Sequence, residues 1–212
     1  MGGSSAPFFS KVGTMNKIAL CTPEDIRNIT AVTASEYSFD DPMIQTCILL
    51  ASSMIIRYLG RPVKRQEIVD TFIVPRSFIG NFKLYPSAGP VAADSLSVSV
   101  NGEEDNDAVK PYGLSAYMFA ASPAIEDTTV VMTYTGGWSV REQTTWPDVD
   151  VLDAPADVVQ ACAIQASNLA NKFLKDSSAK DKNNTKQVHH MTITPEVTFL
   201  LAPFRRPTYM GV

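Results

Sequence analysis

The sequence predicts an α+β fold, a small helical bundle core of about three to four helices with a β-rich insertion and an extended carboxy-terminal tail. Three observations predict it. Two proline-started segments carry apolar residues at helical spacing, near positions 42–59 and 155–174. Between them, from Glu67 to about Thr135, the texture changes to short β-rich runs separated by turn residues. The chain then closes on "FLLAPFRRPTYMGV", where Pro203 and Pro207 favour extended backbone and remove two amide donors. The division that follows is a lead over 1–21, helical core over 22–66 and 153–176, a β-rich insertion over 67–152, a polar loop and strand over 177–197, and a docking tail over 198–212.

Taken in order, Thr22-Pro23-Glu24-Asp25 is a helix start, with a Thr cap, Pro at the first helical position and carboxylates at the positive end of the dipole. The helix should run to about Ser35. Asp41-Pro42 repeats the device and opens a second helix that stops at Gly60, with Pro62 beyond. Ile44, Cys47, Ile48, Ala51, Ile55, Tyr58 and Leu59 form its apolar face, and Leu49, Leu50 and Met54 widen it. So broad a stripe fits either a central helix wrapped by its own domain or one packed on its core and on a neighbouring subunit.

"EIVDTFIV", "NFKLY", "LSVSVNG" and "TTVVMTYTGGW" are the strand candidates. Asn101-Gly102 marks a hairpin turn, and the acidic run Glu103, Glu104, Asp105, Asp107 follows it as a solvated turn that lacks EF-hand spacing. The third helix, opening at Pro155, carries Val159, Cys162, Ala163, Ala166, Leu169, Ala170 and Phe173 at helical spacing, and its alanines allow close approach of another helix. A polar stretch from Lys175 to Gln187 reads as a loop, and "HHMTITPEVTFLL" as a final strand-like run.

Composition narrows the function. The 212 residues are 45% hydrophobic and 19% charged, which fits one large folded domain. A net charge of −4 supplies no basic surface to neutralise phosphates along a nucleic acid. Three scattered cysteines in apolar contexts read as buried thiols of a reducing compartment, and no apolar run reaches the length of a membrane span. The two histidines, His189 and His190, are adjacent and point apart on a strand, so a shared metal or a Ser-His-Asp arrangement is disfavoured. Gly136-Gly137 belongs to no phosphate-binding loop and lets a strand end and turn. No cofactor, metal or catalytic residue is expected, and the chain reads as a part of an assembly.

As a set, "YTGGW", the helix opening Pro155-Ala156-Asp157 and the closing Leu201-Ala202-Pro203-Phe204-Arg205 resemble the head–tail connector (adaptor) proteins of tailed bacteriophages. The resemblance runs from about Thr22 to Pro207; the long lead and the polar loop depart from the shorter members. It implies a helical core with a β-insertion, a homo-oligomeric twelve-fold ring beneath the portal protein, a platform for a downstream neck or tail protein, and passage of double-stranded DNA without sequence-specific binding. The location implied is the virion neck, assembled in the host cytoplasm, with no membrane contact. Carried onto this chain, the portal-docking segment is Leu200, Leu201, Pro203, Phe204, Arg205, Arg206 and Tyr209, with Phe204 as anchor. Leu49, Leu50, Met54, Ala163, Ala166 and Ala170 are the expected helix contacts between subunits, and the carboxylates of Glu103, Glu104, Asp105 and Asp107 would face channel or solvent. The rival readings are a neck stopper or tail-completion protein and, from another class, a carbohydrate- or receptor-binding module stacking ligands on Trp138, Trp146 and tyrosines.

Overall fold

The structure, a computed structural model, describes residues 17–30, 42–113, 116–142, 146, 148–178 and 192–205. The expected fold class is observed: helices and sheets segregate into two bodies with separate apolar cores.

The helical body begins with β1 (Lys17–Ala19) and α1 (Pro23–Thr30). The cap expected at Thr22 forms in full. The Thr22 hydroxyl accepts from the Asp25 amide at 3.1 Å while Asp25 accepts from the Thr22 amide at 2.8 Å, a reciprocal box that satisfies two helix-end donors. The described part of α1 ends at Thr30, and the expected continuation to Ser35 lies outside the described residues. In α2 (Pro42–Leu59) the face read from spacing is buried except at Tyr58, which is half-buried; Ile44, Cys47, Ile48, Ala51, Ile55 and Leu59 are at 3% exposure or less. This helix has the length and composition to cross a bilayer, contrary to the sequence reading, yet that apolar face is filled by the chain's own core.

Against α2 lies α3 (Ala156–Ser178), which also packs on α1 and on α4 (Pro195–Leu201). Lys175 to Ser178 therefore continue a helix and do not open the polar loop, because nothing in "FLKDSS" breaks the backbone. Ser52 is completely buried at this contact; it accepts from the Leu20 amide at 3.0 Å and meets Cys162 Sγ at 3.4 Å, which ties the segment after β1 to α2 and α3.

The β-body holds β2 (Gln66–Val74), β3 (Gly80–Leu84), β4 (Ser97–Val100), β5 (Glu103–Glu104), β6 (Val109–Tyr112), β7 (Ala116–Ala121) and β8 (Thr128–Gly136). One antiparallel sheet has the order β2-β8-β4-β5 and the other β3-β7-β6. Val74, Leu84, Val98, Val109, Phe119, Val130, Met132 and Tyr134 fill the space between them, as the alternation in "SLSVSV" and "TTVVMTY" requires. The Asn101-Gly102 hairpin is present with φ of 52° and 88°, both left-handed. Glu103 and Glu104 are strand residues paired with Val100 and Ser99, where a turn was expected. A last strand, β9 (Val149–Val151), pairs parallel with β1 and returns the chain to the helical body.

Inside the sandwich, Asp70 gathers three donors: the Tyr134 hydroxyl at 2.6 Å, the Ser87 amide at 2.6 Å and the Ser87 hydroxyl at 2.7 Å. Burial, then the hydrogen bond to Asp70, push the Tyr134 phenol up to about 12 from 10.0. Because its folded value is the higher one, the stability this group contributes is complete below about pH 10 and is lost as pH rises through about 12. Tyr134→Phe should cost about 1–2 kcal/mol at pH 8 by urea unfolding, and the gap between the two proteins should shrink at pH 12. A gap that stays constant with pH would remove the hydroxyl from this account.

Candidate docking surface

Of the expected extended tail, the described residues up to Phe204 are helical instead, and residues 206–212 lie outside the described residues. Thr194-Pro195-Glu196 repeats the Thr22-Pro23-Glu24 start, and Pro at the first helical position costs no hydrogen bond. The final strand-like run and the extended backbone from Phe199 to Phe204 are both corrected by this: α4 is followed by a 3-10 turn, Ala202–Phe204. Gln165 on α3, 2% exposed, fixes the approach; its amide donates to the Thr192 carbonyl at 3.2 Å and accepts from the Thr194 amide at 3.3 Å.

Val197 and Leu201, four apart and so on one face, are completely buried in the helical core. Phe199, two residues from each, lies on the opposite side with 81% of its surface exposed. Ala202 and Pro203 are exposed beside it at helical spacing. Leu200 and Phe204 are half-buried against the core, and the Arg205 guanidinium sits 5.1 Å over the ring of Tyr58 on α2. Glu196, fully exposed, has its carboxyl held below the usual range by its own backbone amide.

Of the expected docking residues, the structure thus exposes Pro203 and Arg205, leaves Leu200 and Phe204 half-buried against the core, buries Leu201, and adds Phe199. Phe199 lies outside the expected set, which begins at Leu200; helical spacing is what separates it from the buried Val197 and Leu201. Arg206 and Tyr209 lie outside the described residues, as do His189 and His190.

The expected helix contacts divide likewise. Ala163, Ala166 and Ala170 are 0%, 0% and 3% exposed within the single chain, so their small side chains serve the approach of its own helices. Leu49, Leu50 and Met54 are half-buried and keep a surface free on α2.

Glu103, Glu104, Asp105 and Asp107 are exposed. Asn106 orders the run by accepting from the Val98 amide at 2.8 Å and donating to Glu104 at 3.0 Å. A cleft of about 420 Å³ lined by Asp105, Asp107, Lys110, Met118 and Asn81 adjoins it. Among the described residues no group of three His, Cys, Asp or Glu side chains stands ready for a metal. The Cys21 thiol is buried, and its hydrogen bond with Cys162 together with burial push it well up, which keeps it protonated and unreactive.

Trp138 is 4% exposed and so presents no ring for stacking a sugar, while Trp146 is half-buried against the helical core. No protein-family model and no curated protein matches the chain. It is similar to a chain in the virion of a native gene transfer agent (GTA) particle, at 12% identity and a TM-score of 0.41, with 91% of this chain and 93% of that chain covered. It is also similar to a chain in the neck of an empty GTA particle computed with C6 symmetry, at 12% identity and a TM-score of 0.42, with 96% of each chain covered.

Proposed function

We propose that the chain is a non-enzymatic neck component of a tailed virion, an adaptor that forms a ring under the portal and carries the next neck or tail protein. The observation that carries this reading is the division of α4: Val197 and Leu201 anchor the carboxy-terminal end in the core, so Phe199, Ala202 and Pro203 are held outward as a rigid apolar surface. An aromatic exposed on an ordered support belongs to the residue types that dominate interface energies. The resemblance carried by the motif set ending in Leu201 to Arg205 supports the portal as the partner of this surface. The half-buried Leu49, Leu50 and Met54 face supplies a subunit contact, in a ring of twelve copies.

The acidic balance fits a conduit. A net charge of −4 repels passing DNA phosphates where a basic wall would retain them, and the exposed carboxylates from Glu103 to Asp107 are placed on the β-body where channel or solvent can receive them. Assembly would take place in the host cytoplasm, and the buried free cysteines suit that compartment.

Native mass of the purified chain, alone and mixed with the portal ring, tests the reading. The full chain should add in ring stoichiometry. Phe199→Ser, the chain ending at Ala202, and Arg205→Ala combined with Arg206→Ala should each add at least about tenfold more weakly, the loss expected from removing a hot spot. A full-length chain that stays monomeric beside the portal would overturn the proposal.

A further inference from the structure

Among the described residues β2 ends its sheet with one free edge: it pairs only with β8, and no backbone group meets its outer side. The nine residues "QEIVDTFIV" contain neither proline nor lysine, the usual guards of such an edge. Their one central charge, Asp70, is turned inward onto Ser87 and Tyr134. On the outward face Val69 and Ile73 are 63% and 64% exposed, beside Thr133 and Thr129 of β8. A long, apolar, unguarded edge is a template for an added strand.

The chain itself contains a matching segment. Residues 1–16 include Phe8, Phe9 and Val12, no carboxylate, and Lys11 as their one charged side chain. They lead into Lys17, which pairs with Val149 next to Asp150; the Asp150 carboxylate binds Lys64 at 2.7 Å, two residues before β2 begins. The lead therefore departs from the foot of β2. Sixteen residues reach about 50 Å when extended, against about 30 Å for nine residues of strand. The charge of Lys11 complements the exposed Glu67 on β2.

We infer that residues 1–16 of one copy add as a strand to the outer edge of β2 in the neighbouring copy. The inference rests on the ring reading, which selects the neighbour: a head-to-tail ring repeats one contact between two different surfaces, and a lead with an edge supplies such a pair.

Amide hydrogen exchange of the 66–74 peptide tests it, measured on the free chain and on rings assembled on the portal, for the full chain and for a variant lacking residues 2–16. About half of the peptide's amides point away from β8. These should exchange freely in the monomer, slow about tenfold or more in full-length rings, and remain fast in rings of the shortened chain. Val69→Lys combined with Ile73→Lys should also remain fast in rings and leave the monomer folded. Protection already present in the free full-length chain would mean that the lead closes on its own edge, and would overturn the inference. So would full-length rings whose β2 peptide exchanges no differently when the lead is removed. Failure of the full chain to form rings at all is a separate result and defeats the ring reading first.

Discussion

Gly137→Ala is expected to cost at least about 3 kcal/mol, enough to remove much of the stability of a domain of this size. The residue stands at the joint between the two bodies. Its φ is +100°, a region that L side chains rarely adopt, and a Cβ built there would lie 2.7 Å from the Lys64 carbonyl carbon and oxygen and 2.9 Å from the Val63 oxygen. Those are backbone atoms, and they cannot swing aside. The same few residues carry the hydrogen bonds that join the bodies: Trp138 donates to the Val63 carbonyl at 2.7 Å, Arg65 to the Trp138 carbonyl at 2.8 Å, and Gly137 to the Pro90 carbonyl at 3.1 Å. Gly60→Ala is the control, because its φ of +65° is also positive but nothing lies within 4 Å of the added carbon. That change should cost about 1–2 kcal/mol, the left-handed penalty alone. Urea unfolding of both variants gives the comparison; equal losses would show that close approach contributes nothing at Gly137.

The glycine pair also shows what a sequence conveys and what it withholds. "YTGGW" reads as the end of a strand, which is correct, since β8 stops at Gly136. Its requirement for glycine comes from chain segments remote in sequence, Lys64 at Gly137 and Ala88 at Gly136, and spacing cannot report them. Local patterns were legible wherever one face of one element meets the core. The buried faces of α2 and α3, the Thr22 cap and the Asn101-Gly102 hairpin all belong to that class. β7 was not legible, because "AYMFAA" consists largely of helix-compatible residues and becomes a strand only between β3 and β6. The β1–β9 pair joins segments more than a hundred residues apart and has no local signal. At the candidate site the signal is present and outweighed: Thr194-Pro195-Glu196 has the sequence pattern of Thr22-Pro23-Glu24, though the Thr194 side chain makes no cap bond, and the prolines at 203 and 207 favour extended backbone. The alanine stripe signals close helix approach, but sequence does not say whose helix approaches, and in the structure it is the chain's own.

Leu201→Ala should cost about 2–5 kcal/mol, as for other fully buried leucines, whereas Phe199→Ala, two residues away, should stay within about 0.5 kcal/mol. Leu201 has no exposed surface and Phe199 has 81%. The two variants separate support from contact. If Phe199 is a docking anchor, Phe199→Ala weakens portal binding with the unfolding midpoint unchanged. Leu201→Ala acts indirectly, by loosening α4 from α3, so that the chain presents Phe199 in the ordered position for a smaller fraction of the time. Apparent affinity falls in proportion to that fraction. Raising the concentration of the portal should therefore recover binding of Leu201→Ala at a plateau equal to the wild type. Its melting temperature in the bound state should approach the wild-type value, because binding selects the docked helix. Should Leu201→Ala lower stability yet leave portal affinity untouched, α4 would be a core helix only, and the docking surface would have to lie elsewhere in the chain.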